Sequence, residues 1–177
     1  MNIVSKHARV ARAVHLISVG IRPNIVTLDT GLSVPLLRNI YREVHGVRAT
    51  SGPLPSPEGI LRTRARYVEA CTLLPLYIKL ADRPNEQVDL DALVEAGDLQ
   101  GQAMPKEIDI NQAWVLARAF RAGSILLTTC RNCRATLIGA PTHRLRPDCP
   151  FCGPRSGPAQ KARTTTLVQA HHAGLAA

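Results

Sequence analysis

The sequence predicts a mainly α protein: a helical N-terminal domain carrying a helix-turn-helix-like unit, followed by a small C-terminal zinc ribbon built on four cysteines. Three observations lead there. Apolar residues make up 45% of the 177 while aromatics are only 3%, so the core must be packed from Leu, Ile, Val and Ala, which favours helices. Apolar residues also recur at i, i+3, i+4 and i+7 in several stretches, the period of a helix face. Two C-x2-C pairs, Cys130 with Cys133 and Cys149 with Cys152, have 15 residues between them, which is metal-site spacing. The length suits one well-cored domain with a small satellite rather than two full domains. The implied division is a helical domain over 1–125, a ribbon over 126–153 and a basic tail over 154–177.

The elements follow in order. Between Ile3 and Val19, the residues Val10, Ala13, Val14 and Ile17 mark one apolar face, and Gly20 and Pro23 stop the helix. A short apolar helix starts at Pro23 and breaks at Gly31. A second starts after a cap at Ser33, with Pro35 in its first turn, where the missing N–H does no harm. On this second helix Leu37, Ile40, Tyr41 and Val44 form a stripe, and Arg38, Asn39, Arg42 and His45 lie opposite. A capped second helix with basic residues outward suits a major groove, where Arg and Asn can bond base edges. Two short helices around a glycine are also common in any α protein, and Arg38 and Arg42 can equally be a solvated face. Residues 47–60, with three prolines and two glycines, read as a loop. A long helix is expected over 61–80, kinked or split by Pro75, with Arg62, Arg64 and Arg66 at its start. A short acidic helix over 86–97 should end at Gly97, with GDLQGQAMP as the next loop. Another helix follows over 108–122, burying Ala113, Trp114, Ala117 and Phe120.

Charge narrows the function classes. The net charge is +9, and residues 118–163 hold nine cations (Arg118, Arg121, Arg131, Arg134, Arg144, Arg146, Arg155, Lys161, Arg163) against one acid, Asp148. Residues 82–109 are instead acidic. Such asymmetry points to a polyanionic partner, because phosphate neutralisation releases condensed counterions. No run reaches the ~18 apolar residues of a membrane span, and the N-terminus lacks a signal-peptide apolar region. The expectation is a cytoplasmic protein with no membrane contact. No phosphate-loop, dinucleotide, zinc-protease or serine-hydrolase motif is present, so an enzyme is the reading least supported.

The cysteine pairs carry the most specific chemistry. Two intervening residues let one tight turn aim both sulfurs at a point, and four thiolates complete the tetrahedral shell of a structural Zn2+. In CPFCG, Pro150 pre-sets the turn and Gly153 permits a positive φ after it. Two disulfides, a redox C-x-x-C and an iron–sulfur cluster are the alternatives. The reducing setting, the paired symmetry and the lack of a βαβ context favour zinc, one ion per chain. With every position filled by sulfur the site should be structural. It would carry a charge of −2, which Arg131 and Arg134 flank. His143 is read as a surface or packing residue, and Cys71 as a buried apolar one.

The segment NQAWVLARAFRAGSILLTTCRNC, with CPFC after it, resembles the flagellar transcriptional activator FlhC family of proteobacteria. The LSVPLLRNIYREVHG stretch is similar to that family's corresponding segment, and the likeness covers about residues 7–155. The chain departs from the family at GPLPSPEGILRTRARYVEACTLL, where the family has an aromatic-rich segment. The resemblance implies a zinc-binding subunit of a hetero-oligomeric activator that works with an FlhD-like partner, binds double-stranded promoter DNA and recruits RNA polymerase to flagellar operons. It also implies that Cys130, Cys133, Cys149 and Cys152 are the metal ligands. The expected nucleic-acid contacts are Arg38, Asn39, Arg42, Arg131, Arg134, Arg144, Arg146, Arg155, Lys161 and Arg163. An RNA-binding or protein-assembly zinc-ribbon module would explain the ribbon and the charge, but leaves the N-terminal unit unexplained.

Overall fold

The computed structural model describes residues 3–139 and 149–152. The chain divides into two compact units, residues 1–54 and the remainder from Pro55. His143, Asp148, Gly153 and the basic tail expected over 154–177 lie outside the described residues.

The first unit is three mutually packed helices, α1 (Ile3–Ser18), α2 (Pro23–Thr30) and α3 (Val34–His45). Helix α1 buries Ala13, Leu16 and Ile17, whereas Val14, expected on the inner face, is 41% exposed. The apolar stripe is thus turned away from Val14 and towards Leu16. Gly20, at φ +89, lets the chain leave α1, and Ile21 is buried directly after it. Helix α2 opens with Pro23 in its first turn and closes on Gly31, whose left-handed φ of +66 aims its N–H at the Thr27 carbonyl. Ser33 is the N-cap of α3 as expected, but its side chain makes no capping hydrogen bond. Leu37 and Ile40 are buried on α3, while Val44 is 40% exposed, so its inner stripe is shorter than expected. His45 is not on the outer face: its Nε2 lies 2.7 Å from the Ile17 carbonyl and its ring sits 4.4 Å from that of Tyr41. An Arg12–Asp29 ion pair at 3.2 Å ties α1 to α2.

The second unit holds α4 (Pro57–Ile60), α5 (Arg64–Leu80), α6 (Leu90–Ala103), α7 (Ile110–Arg121) and a two-stranded antiparallel sheet, β1 (Leu126–Thr129) with β2 (Thr136–Gly139). Helix α4 interrupts the expected 47–60 loop: Ser56 Oγ accepts from the Gly59 N–H at 3.1 Å, and Ile60 is fully buried. Thr63 caps α5 by accepting from the Arg66 N–H, so this helix starts three residues later than the expected 61. Pro75 leaves α5 in one piece, since burial of Cys71, Leu74 and Tyr77 around it offsets the missing backbone bond.

Helix α6 corrects the expectation of an 86–97 helix. Asp89 Oδ1 accepts from the Asp91 and Ala92 N–H groups and fixes the later start. At the other end α6 runs through Gly97 and Gly101, because Ala96, Gly97 and Gln100 are buried where α5 and α7 pack against it. Tertiary packing there overrides the glycine penalty of roughly 1 kcal/mol. Helix α7 begins in a capping box, Asp109 with Gln112, and buries Trp114, Leu116, Ala117 and Phe120. At the centre, Glu69 of α5 is only 3% exposed. Its Oε2 accepts from the Glu107 and Ile108 N–H groups at 2.7 and 2.9 Å, holding the approach to α7. Gln100 donates to the Glu69 carbonyl and to Thr72 Oγ1, so α6 is fastened to the same point.

Candidate metal centre

The β1–β2 hairpin pairs Thr129 with Thr136, which leaves residues 130–135 as its connecting turn. Within that turn the Cys130 N–H donates to the Ala135 carbonyl at 2.8 Å, and the Arg134 N–H donates to the Cys130 carbonyl at 2.9 Å. The turn closes with Arg134 at φ +60, the left-handed region that glycine most readily occupies. Cys130 and Cys133 thereby face the same point.

The second pair is held from α5. Arg64 Nη2 donates to the Pro150 carbonyl at 2.8 Å, and the Tyr67 hydroxyl, buried, donates to the Ile138 carbonyl of β2 at 2.7 Å. Both interactions pin the ribbon to one helix, and together they place the pairs edge to edge. All four Sγ atoms lie within 4.8 Å of one another, with Cys130 to Cys152 at 3.8 Å and Cys133 to Cys149 at 3.6 Å. A tetrahedral site with metal–sulfur bonds of about 2.3 Å has sulfur–sulfur edges of about 3.8 Å. The four thiols therefore fit a tetrahedral metal. None of the five cysteines is in a disulfide, and the separations are far above the ~2.05 Å of a sulfur–sulfur bond.

Electrostatics agree with the geometry. Hydrogen bonding from the Cys133 backbone is the largest influence on the Cys130 thiol and lowers its pKa to about 6, against the opposing effect of burial. The Asn132 N–H and the Cys133 and Cys149 thiols lower it further. A ready thiolate is what a metal needs. Cys71 is the contrasting case: burial pushes its thiol up to about 11, and it packs as an apolar residue as the sequence suggests.

Of the expected nucleic-acid contacts, Arg38, Asn39 and Arg42 are exposed on α3, in the first unit. Arg131 and Arg134 are exposed on the cysteine turn, in the second unit. Arg144, Arg146, Arg155, Lys161 and Arg163 lie outside the described residues. Sequence reasoning missed Glu69, Arg64 and Tyr67. The signal for Glu69 was present, since it is the one acid in the apolar run YVEACTLLPLY. Nothing local marks Arg64 and Tyr67, whose partners stand 86 and 71 residues away.

Fold and site together define a mainly helical protein with a small cysteine ribbon able to hold one metal ion. The sequence matches the flagellar transcriptional activator (FlhC) family over residues 1–166. The chain belongs to that family. It is 31% identical over 180 residues to the flagellar transcriptional regulator FlhC of Paraburkholderia phymatum, covering 93% of this chain and 81% of the relative. It is 32% identical over 155 residues to the Burkholderia lata protein of the same name, covering 79% and 68%. To that of Proteus mirabilis it is 26% identical over 172 residues, covering 92% and 87%. Membership in a family of transcriptional regulators implies an interaction with DNA. Among the described residues no helix is long and apolar enough to cross a membrane.

Proposed function

We propose that this chain is the zinc-binding subunit of a transcription activator that acts with an FlhD-like partner at flagellar promoters and recruits RNA polymerase. The observation that carries the reading is the family match, which spans both the three-helix unit and the ribbon. Zinc is the metal best suited to four thiols at these separations in a reducing cytoplasm. Cys130, Cys133, Cys149 and Cys152 would hold it, and the ion would supply folding energy, not reactivity, since sulfur fills all four positions.

On this reading the ribbon over 126–153 is a structural module, and residues 154–177 serve as a basic arm towards phosphate. Helix α3 is the element offered to the major groove, through Arg38, Asn39 and Arg42. Arg131, Arg134, Arg144, Arg146, Arg155, Lys161 and Arg163 neutralise backbone phosphates and set the register of the complex. The test is a fluorescence anisotropy titration of a flagellar promoter duplex with the full chain, in the presence and absence of an FlhD-like subunit. Promoter-selective binding in the presence of the partner supports the reading. A stronger response to single-stranded RNA than to duplex DNA under the same salt would favour the RNA-module alternative.

A further inference from the structure

The first unit contains a cavity of about 200 Å³. It is formed where the start of α2, the outer side of α3 and residues 49–54 meet, and Arg22 and Arg38 both line it. A single water needs only ~10–15 Å³ on this measure, so the space admits a polyatomic group. No Asp or Glu is among its lining residues, while Asn24, Thr50 and Ser51 add polar groups. Arg22 Nη1 donates to the Gly52 carbonyl at 3.0 Å, which fastens the 49–54 segment and fixes where that guanidinium sits. Arg38 comes from α3 and, among the described residues, its side chain makes no hydrogen bond or ion pair. Two arginines, one at the N-cap of α2 and one on α3, thus line one cavity that holds no acid, and guanidinium N–H groups offer the planar donor pairs that match the oxygens of a phosphate.

We infer that this cavity is a phosphate-binding site, filled by a backbone phosphodiester when the protein is on duplex DNA. The assignment of the ligand to DNA rests on the function proposed above, whereas the cavity's preference for phosphate does not. It gives Arg38 a positioning role instead of the guanine contact that its place on α3 suggests, and leaves base edges to Asn39 and Arg42.

The test has two arms on the full chain. In the first, the Nε–Hε NMR signals of Arg22 and Arg38 are followed during titration with inorganic phosphate, and then with promoter duplex and the FlhD-like subunit. Saturable movement of both signals in both titrations is expected. In the second, Arg38→Ala, with circular dichroism to confirm that α3 is intact, should bind promoter and random duplex about tenfold more weakly, as for loss of a charge-assisted bond. Its salt slope should flatten by about 0.9, one phosphate's worth, and Arg38→Lys should recover part of the loss. Signals that move with neither phosphate nor duplex would overturn the site, as would an Arg38→Ala variant with unchanged affinity and slope. A changed base preference in that variant would return Arg38 to base reading and overturn the inference. Movement with inorganic phosphate alone would overturn the DNA assignment and identify a free phosphorylated ligand. Should the wild-type chain with its partner bind no duplex, the proposed function fails on its own, and the phosphate titration alone decides the cavity.

Discussion

Arg134 occupies the left-handed region at φ +60, in the turn between the first cysteine pair and β2. A non-glycine residue there costs roughly 1–2 kcal/mol. Arg134→Gly is therefore expected to tighten metal binding about fivefold, or about 1 kcal/mol, measured by competition with a chromophoric chelator. The four cysteines proposed to hold the metal admit no such latitude. Cys130→Ser or Cys152→Ser should abolish stoichiometric zinc, read by elemental analysis, and unfold the ribbon, because zinc in small domains contributes ~10–16 kcal/mol that is largely folding energy. Glu69 supplies a test on pH. Burial raises its pKa above 4.5, and the Glu107 and Ile108 N–H groups lower it only in part. The folded state then binds more protons than the unfolded state between 4.5 and the raised value, so stability from this group falls as pH rises through that window. Comparing denaturant unfolding of wild type and Glu69→Gln at pH 5 and pH 7 should show the variant losing less stability on going to the higher pH. Glu69→Ala should cost ~1–3 kcal/mol at either pH by stranding the two N–H donors.

At the scale of elements, α5 is the helix on which the second unit is assembled, with α6, α7 and β2 all packed against it. The Tyr67 hydroxyl on the Ile138 carbonyl is its buried link to the ribbon. Tyr67→Phe is expected to destabilise by ~1–3 kcal/mol, with faster hydrogen exchange concentrated in residues 126–139 and little change in α6. Elements were legible in the sequence where their determinants are local. The starts of α2 and α7 are set by Pro23 and by the Asp109–Gln112 box, and the two-residue spacing of each cysteine pair announces a metal turn by itself. They were less legible where distant packing decides. Gly97 reads as a helix end, yet α6 continues because Gln100 finds Glu69 on another helix, 31 residues earlier. His45 reads as an outer-face residue of α3, yet a carbonyl 28 residues earlier draws its ring back. The site divides in the same way: the four cysteines that gather within 4.8 Å were legible, and the α5 side chains that fasten the ribbon were not.

For the whole molecule, the net charge of +9 and the crowding of cations after residue 118 are the features that the proposed function assigns to DNA phosphates. Arg144→Ala and Arg146→Ala are each expected to weaken promoter and random duplex about equally and to reduce the salt slope by about 0.9, measured by anisotropy across a salt series. A shift in sequence preference would assign them to base reading instead. On the function proposed above, selectivity would belong to the assembled complex, with the ribbon folded on its metal and α3 presented to the groove. The most direct measurement is the ratio of promoter to random-duplex affinity at physiological salt for the full chain with its FlhD-like subunit, before and after zinc is stripped by a chelator. A ratio of at least ~10³ is expected with zinc bound, as for sequence-specific regulators, with collapse on stripping and return when zinc is restored. Equal affinity for promoter and random duplex while zinc and partner are both bound would contradict it.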